Sequence, residues 1–456
     1  MRRVVKVSRI RIIITIIVVV LTTLLTGCTG KEPNEIAYVV ALGIDSTDDD
    51  NYKITIQYAN TTQISGGASE SGGKAGSEIV DNVTIEAPNI YAGVGLANNI
   101  VSKSFSMSHA KLIVFSKEVA EKGVKDMIET LVRSEEIRPD VFIAVANTTA
   151  NDYLTSVNPE MEVNPAQYYQ LIYQKNQLVG IPDGQLREFF TGLYTDNYDS
   201  ILPVAGVIEG SGGNSQNDDK GQSKDSQNEG SEGSSESLDS FESKSSNEKD
   251  ENEKEKDAEK NTSKYEYDIK NYIGGETTIE KKNKAEAIGA AVFEKDKMVG
   301  ELGEVETEIC KMLKGDYTYS YLTYYNNDTP DIPITVKTTQ QKKPKYKIDT
   351  DKKTVDIELY IESDLYSLPA DYNVENKIED FERDVANYTS STCTEFINNF
   401  TKKYNSDILK LNEKVKYKFL TNNQYNWFKK NVDWSEYKFS VCTDFKVRRT
   451  GLIVRE

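Results

Sequence analysis

From Gly210 to Ser263 the chain is written almost entirely in Gly, Ser, Asn, Gln, Asp, Glu and Lys, with Leu238 and Phe241 nearly alone among apolar residues. Such a stretch cannot bury enough surface to offset the entropy of ordering it, so it is predicted to be disordered. Glu–Lys neighbours between Asn247 and Lys260 favour transient helix, but that helix would have no apolar face to pack. The 456-residue chain is therefore expected to divide into folded regions on either side of a linker. The boundaries read from the sequence are 28–209, an acidic Ser/Gly/Asn-rich insert at 210–263, and 264–456 with room for two subdomains.

Residues 1–27 read as a lipoprotein signal peptide. Arg2, Arg3, Lys6, Arg9 and Arg11 form a positive n-region, and Ile12 to Leu25 is an apolar run of about fourteen residues, short for a spanning helix. The run ends Leu25-Thr26-Gly27-Cys28, the pattern of a lipobox. On this reading Cys28 is lipidated with a diacylglyceryl group, becomes the first residue after cleavage, and can carry a further N-acyl chain. Two or more acyl chains hold a protein on a membrane where one would not.

The net charge is −18, and loss of the five positive residues before Cys28 makes the remainder more acidic still. A body of that charge is repelled by nucleic-acid phosphates, so no nucleic-acid partner is expected. It is also repelled by anionic headgroups, which leaves anchoring to the lipid. After Cys28 only Cys310, Cys393 and Cys442 remain, too few for a disulfide framework, and whether any of them pair is left open by the sequence.

The flanking regions carry mixed periodicities. Glu35 to Ile44 is an apolar run, Tyr52 to Tyr58 alternates as a half-buried strand does, and the turn residues Ser46 to Asn51 between them predict a hairpin. A helix is expected over Asn89 to Val101, a strand at Leu112 to Phe115, a helix over Val119 to Val132 and a strand at Val141 to Ala146. The glycines Gly66, Gly67, Gly72, Gly73 and Gly76 read as a loop, without the strand–glycine–helix order and lysine of a phosphate cradle. Beyond the linker, Ala287 to Phe293 opens the second region, followed by a helix at Glu304 to Lys314. Strands follow at Ile332 to Val336 and Val355 to Ile361, and a long helix over Asn376 to Tyr404. Shorter helical pieces at Ile408 to Phe419 and Tyr425 to Val432 precede a closing strand, Tyr437 to Val447. The fold class is α+β, with mixed β-sheets and packed helices.

Catalytic material is sparse, and the reading is that the protein is no enzyme. His109 is the only histidine and reads as structural; no Cys/His group has metal-ligand spacing, so no metal or cofactor is expected. Asp48-Asp49-Asp50 lacks the pattern of a calcium loop and reads as a solvated turn. Arg133, Glu136, Arg138 and Asp140 read as a local ion-pair and capping cluster, with partner contact by Arg133 and Arg138 as the functional alternative. Tyr317, Tyr319, Tyr321, Tyr324 and Tyr325 alternate partly as a sheet face, and Tyr319 and Tyr321 are candidate partner contacts because exposed tyrosines suit interfaces.

Four stretches together resemble the C subunits of spore nutrient germination receptors, the Ger(x)C lipoprotein family. They are the lipobox followed by Lys31-Glu32-Pro33-Asn34-Glu35-Ile36; Ala41-Leu42-Gly43-Ile44-Asp45 leading into a strand; the block from His109 to Val145; and Tyr404 to Ile408 with Trp434 and the closing Arg448-Arg449-Thr450-Gly451. The family's D-I-x-G-x-G is here Asp407-Ile408-Leu409-Lys410-Leu411-Asn412, without either glycine, and the insert is longer than expected. The resemblance implies a non-enzymatic receptor subunit of multi-domain α+β fold, needed for the response to amino acids, sugars or nucleosides. Its implied place is the outer face of the spore inner membrane, beside an A subunit and a transporter-like B subunit. Two other classes stand beside it: an extracytoplasmic solute-binding or scaffolding lipoprotein, which would show two like lobes and a cleft, and an envelope hydrolase, which would need a nucleophile or metal group.

Overall fold

Ile36–Ser46 is apolar on both of its faces, and it becomes β1, a strand buried along nearly its whole length at the centre of a sheet. The computed structural model describes residues 13–18, 35–49, 51–59, 80–159, 162, 165–174, 180–195, 197–208, 271–277, 283–326, 329–367, 377–404 and 406–449. Cys28, Asp50, the glycine patch at 66–76, the 210–263 insert and the side chains of Tyr324 and Tyr325 lie outside the described residues.

The first sheet adds β2 (Tyr52–Ala59), β3 (Val80–Ala87), β4 (Ser104–Ser106), β5 (Leu112–Ser116), β6 (Phe142–Ala146), β7 (Ile201–Val207), β8 (Ala285–Glu294) and β9 (Lys297–Leu302). Its order is β3-β2-β1-β5-β6-β7-β8-β9, with β4 alongside β1. The hairpin expected from Ser46 to Asn51 joins β1 to β2 antiparallel. The central pairs β1–β5, β5–β6 and β6–β7 are parallel, and such strands need cover on both faces. Alternation supplies it. Ile113, Phe115, Ile143 and Val145 face helices α1 (Ile90–Ala97), α2 (Lys117–Lys122), α3 (Lys125–Val132) and α6 (Leu186–Thr195). Leu112, Val114, Phe142 and Ala144 face α4 (Ala150–Ser156) and α5 (Pro165–Gln174).

Two expectations are revised here. Val119 to Val132 is not one helix: Gly123, at φ 120°, breaks it into α2 and α3, and the next N–H, that of Val124, donates to the Asp296 carbonyl at 3.0 Å. Ala287 to Phe293 does not open a separate body either. It lies in β8, which pairs antiparallel with β7 across the whole insert, so the first sheet draws strands from both sides of it. Residues flanking the insert accordingly fall in one compact unit.

The second sheet comprises β10 (Tyr319–Asn326), β11 (Thr329–Thr339), β12 (Lys345–Asp349), β13 (Thr354–Ser367) and β14 (Lys438–Arg449). β12 and β11 pair with successive halves of β13, and β14 pairs with its other edge in parallel. Helix α7 (Glu304–Lys314) connects the sheets, since Ile309, Cys310 and Leu313 share one apolar cluster with Val292 of β8 and Leu359 of β13.

The outer edge of β14 would leave N–H groups without partners. The 26-residue helix α8 (Ile378–Lys403) runs along it and supplies side-chain acceptors. Phe439 N donates to Asn398 Oδ1 at 3.1 Å, Val441 N to Thr394 Oγ1 at 3.0 Å, Thr443 N to Ser390 Oγ at 2.9 Å and Val447 N to Glu382 Oε1 at 2.8 Å. The four acceptors fall on one helix face at multiples of four residues, matching every second residue of the strand. Thr394→Val keeps the shape and removes the acceptor, so it is expected to cost about 1–3 kcal/mol in urea unfolding. Ser391→Ala, on the exposed side of the same helix, is expected to change stability by less than about 0.5 kcal/mol. Equal effects of the two would show that the edge bonds add nothing.

Candidate functional site

The motif Gly43-Ile44-Asp45 at the end of β1 has a structural role. Asp45 Oδ1 accepts from Ala150 N at 2.6 Å and Oδ2 from Asn151 N at 3.1 Å, so the carboxylate holds the first turn of α4. A side chain at Gly43 would meet Leu154 Cδ1 at 3.0 Å and Ala150 Cβ at 3.1 Å, which is why the strand is bare where the helix crosses it. Burial raises the Asp45 carboxyl above its ordinary value against the pull of those two bonds.

A second carboxylate, that of Asp199, ties the C-terminal turn to the first sheet. Asp199, just before β7, accepts from Lys295 N at 2.8 Å and from Asp407 N at 2.8 Å. Asp407 in turn accepts from Leu411 N and Asn412 N, both at 2.8 Å, at the start of α9 (Leu411–Val415). Ser406 Oγ donates to the Phe293 carbonyl at 2.9 Å. Lys410, where the resemblance expects a glycine, has φ 56°, the left-handed conformation that glycine adopts most readily. Its ammonium lies 4.1 Å from the Tyr198 ring centre and 3.4 Å from Glu188 Oε2, contacts that a glycine could not make.

On either side of Tyr198 and Asp199 lie two polar cavities. One, of about 440 Å³, is lined by Asp183, Glu188, Lys311, Lys314, Asp316 and Lys410 among others. The other, of about 550 Å³, is lined by Glu294, Asp407, Asn412, Lys429, Lys430 and Trp434 among others. Lys311 is buried and donates to the Ile181 carbonyl at 3.0 Å; burial holds its ammonium down to about 8. One turn earlier Glu308, pushed up to about 7 by burial, accepts from Tyr317 Oη at 3.1 Å. These groups suit polar solutes or structural water, and among the described residues no three His, Cys, Asp or Glu are grouped to hold a metal.

The residues singled out by sequence are spread over separate elements. His109 is exposed, 3.0 Å through Nδ1 from Ser108 Oγ and edge-on to Tyr38, so it does not lie inside the strand that it precedes. Arg133 pairs with Glu129 at 3.1 Å and Arg138 with Asp140 at 3.2 Å, both on the surface, while Glu136 accepts instead from Met107 N. Tyr319 and Tyr321 sit on β10, at the edge of the second sheet, and Tyr321 stacks edge-on with the exposed Tyr366 at 5.5 Å. Cys310, Cys393 and Cys442 are unpaired, and burial pushes the Cys310 thiol up to about 11 and that of Cys393 to about 12. Sequence reading missed the Asp199–Asp407 pair and Lys311, because acidic and basic residues are too frequent here for burial to be read from type alone.

Burial pushes the Asp407 carboxyl from 3.8 up to about 7. The folded chain then holds a proton that the unfolded chain releases earlier, so this stabilisation is full below pH 3.8 and lost as pH rises through 7. Unfolding free energy from urea titration is expected to fall across that window, and Asp407→Asn to make the fall shallower. An unchanged slope would show that the folded protein keeps Asp407 ionised throughout.

Residues 30–207 match the family model described as the spore germination protein N-terminal domain. Residues 288–451 match the model described as spore germination B3/GerAC-like, C-terminal. Spore germination protein KC of Bacillus subtilis (strain 168) is similar, at 26% identity over 174 residues, 35% of this chain and 42% of that protein. The putative spore germination protein YfkR of the same organism is 28% identical over 145 residues, 32% of this chain and 37% of that protein. The chain thus spans less than half the length of either relative. The crystal structure of the GerBC protein aligns with a TM-score of 0.47 at 15% identity, over 89% of this chain and 96% of that one. With one family model before the insert and the other after it, the chain belongs to the GerAC-like family of spore germination proteins.

Proposed function

We propose that this chain is the C subunit of a spore nutrient germination receptor, a non-enzymatic lipoprotein needed for nutrient-triggered germination. In this reading diacylglycerol on Cys28 holds it on the outer face of the spore inner membrane, beside membrane-embedded A and B subunits. One observation carries the reading: a lipobox at Leu25 to Cys28 stands directly ahead of two germination-family regions in a single chain. The exposed Tyr321 and half-buried Tyr319 of β10, with the exposed Tyr366 of β13 beside them, are the proposed contact for a partner subunit, and Arg133 and Arg138 are proposed as a lesser one. Exposed aromatic side chains on a rigid strand offer contact area at little entropic cost.

The test is deletion of the gene in a spore-former, scored against a panel of single nutrients. Loss of response to one nutrient class is expected, with germination by exogenous dipicolinic acid intact. Wild type is expected to restore the response and Cys28→Ala to fail. Full restoration by Cys28→Ala would overturn the anchored reading, and a complete nutrient response in the deletion strain would count against the receptor reading.

A further inference from the structure

The chain is strongly acidic, yet residues 414–432 hold Lys414, Lys416, Lys418, Lys429 and Lys430 and no Asp or Glu. A second acid-free stretch, 332–348, holds Lys337, Lys342, Lys343, Lys345 and Lys347. The fold brings the two together: Lys418 Nζ donates to the Ile348 carbonyl, and Lys414 lies 4.5 Å from the Tyr346 ring centre. Two neighbouring acids are matched, Glu358 with Lys345 and Asp349 with Lys352, each at 4.0 Å.

In the first of these stretches stand three of the most exposed large apolar side chains among the described residues: Leu420 (96% exposed), Tyr417 (77%) and Trp427 (68%). Leu420 and Trp427 line one shallow groove with Lys418, Phe419 and Phe428. Helix α10 (Asn422–Asn431) fixes their direction, because Tyr425 is buried and Lys429 donates inward to the Thr195 carbonyl at 2.9 Å. The opposite face presents Asn423, Gln424, Trp427, Lys430 and Asn431 at helical spacing. An aromatic and a leucine among polar amides and lysines is the composition of a surface that rests in headgroups, not of one that is buried in a protein core.

We infer that this face docks on an anionic phospholipid surface, with Leu420 and Trp427 entering the headgroup layer and Lys416 and Lys430 meeting phosphates, while Lys414, Lys418 and Lys429 donate to carbonyls of the protein. Charge complementarity selects the occupant: each lysine near an anionic bilayer strengthens attachment about fivefold, while the acidic remainder of the chain is repelled. Attraction at one face and repulsion elsewhere orient the body. The inference rests on the anchored reading for nearness to a bilayer, since Cys28 to Ile36 spans under about 30 Å even fully extended.

The chain has two tryptophans, Trp427 exposed and Trp434 buried, so the difference between wild type and Trp427→Phe isolates the Trp427 emission. Full-length protein is mixed with vesicles of phosphatidylcholine alone or with one part in about three of phosphatidylglycerol, each containing brominated lipid. Flotation is read separately and reports the anchor. Trp427 emission is expected to shift to the blue and be quenched by brominated lipid in anionic vesicles. Leu420→Glu and the pair Lys416→Glu with Lys430→Glu are expected to abolish that quenching, and flotation through the lipid is expected to persist. Trp427 emission that stays equally open to iodide with and without anionic vesicles would overturn the inference, whether or not the chain floats. Shielding of Trp427 only when other membrane subunits are present would overturn it in favour of a protein partner.

Discussion

Antiparallel pairing of β7 with β8 is the contact on which the rest of the structure depends. It closes the chain across the insert and lets β8 and β9 extend the sheet that β1, β5, β6 and β7 begin. Val292 of β8 then contributes to the apolar cluster that also holds α7 and β13. Without that pairing, α7 would lose the floor that it packs on, and the second sheet would lose its connection to the first. Loop closure becomes only slowly more costly with length, so a long polar insert at this point is tolerated provided the strands at its ends pair well.

Polar groups secure what the apolar clusters leave undetermined. Asp45 fixes α4 against β1, Asp199 and Asp407 fix the C-terminal turn against β7 and β8, and the acceptors along α8 close the free edge of β14. Each is a buried or half-buried group whose loss leaves donors unpaired, which costs more than the bond itself contributes. Gly43-Ile44-Asp45 and the 407–412 turn thus act in packing and capping. Lys410 holds a left-handed turn with a long side chain, which gains Tyr198 and Glu188 as neighbours.

Much of this was legible in sequence wherever one periodicity dominated. The hairpin at Ser46 to Asn51, the helix Glu304 to Lys314 and the long helix ending near Tyr404 lie where apolar spacing puts them. Gly123 was hidden because the apolar spacing from Val119 to Val132 continues straight through it, and only the backbone angle reveals the break. Ala287 to Phe293 reads as an apolar segment opening the second region, and its pairing with β7 is not legible because strand partners across an insert leave no local signal. The basic face was masked by whole-chain charge: −18 describes an average, and the fold gathers lysines from two distant stretches. Exposure of Tyr321 depends on neighbours that residue type does not encode, whereas the pairing of Arg133 with Glu129 follows from helical spacing.

If the proposed role as one subunit of a membrane receptor is right, the chain travels with fixed companions. Affinity isolation of the tagged protein from detergent-solubilised spore inner membranes, with its companions identified by mass spectrometry, tests it most directly. Two further germination proteins with multiple membrane spans are expected, recovered in constant proportion to the chain. Recovery of the chain alone, or with soluble envelope proteins in their place, would contradict it.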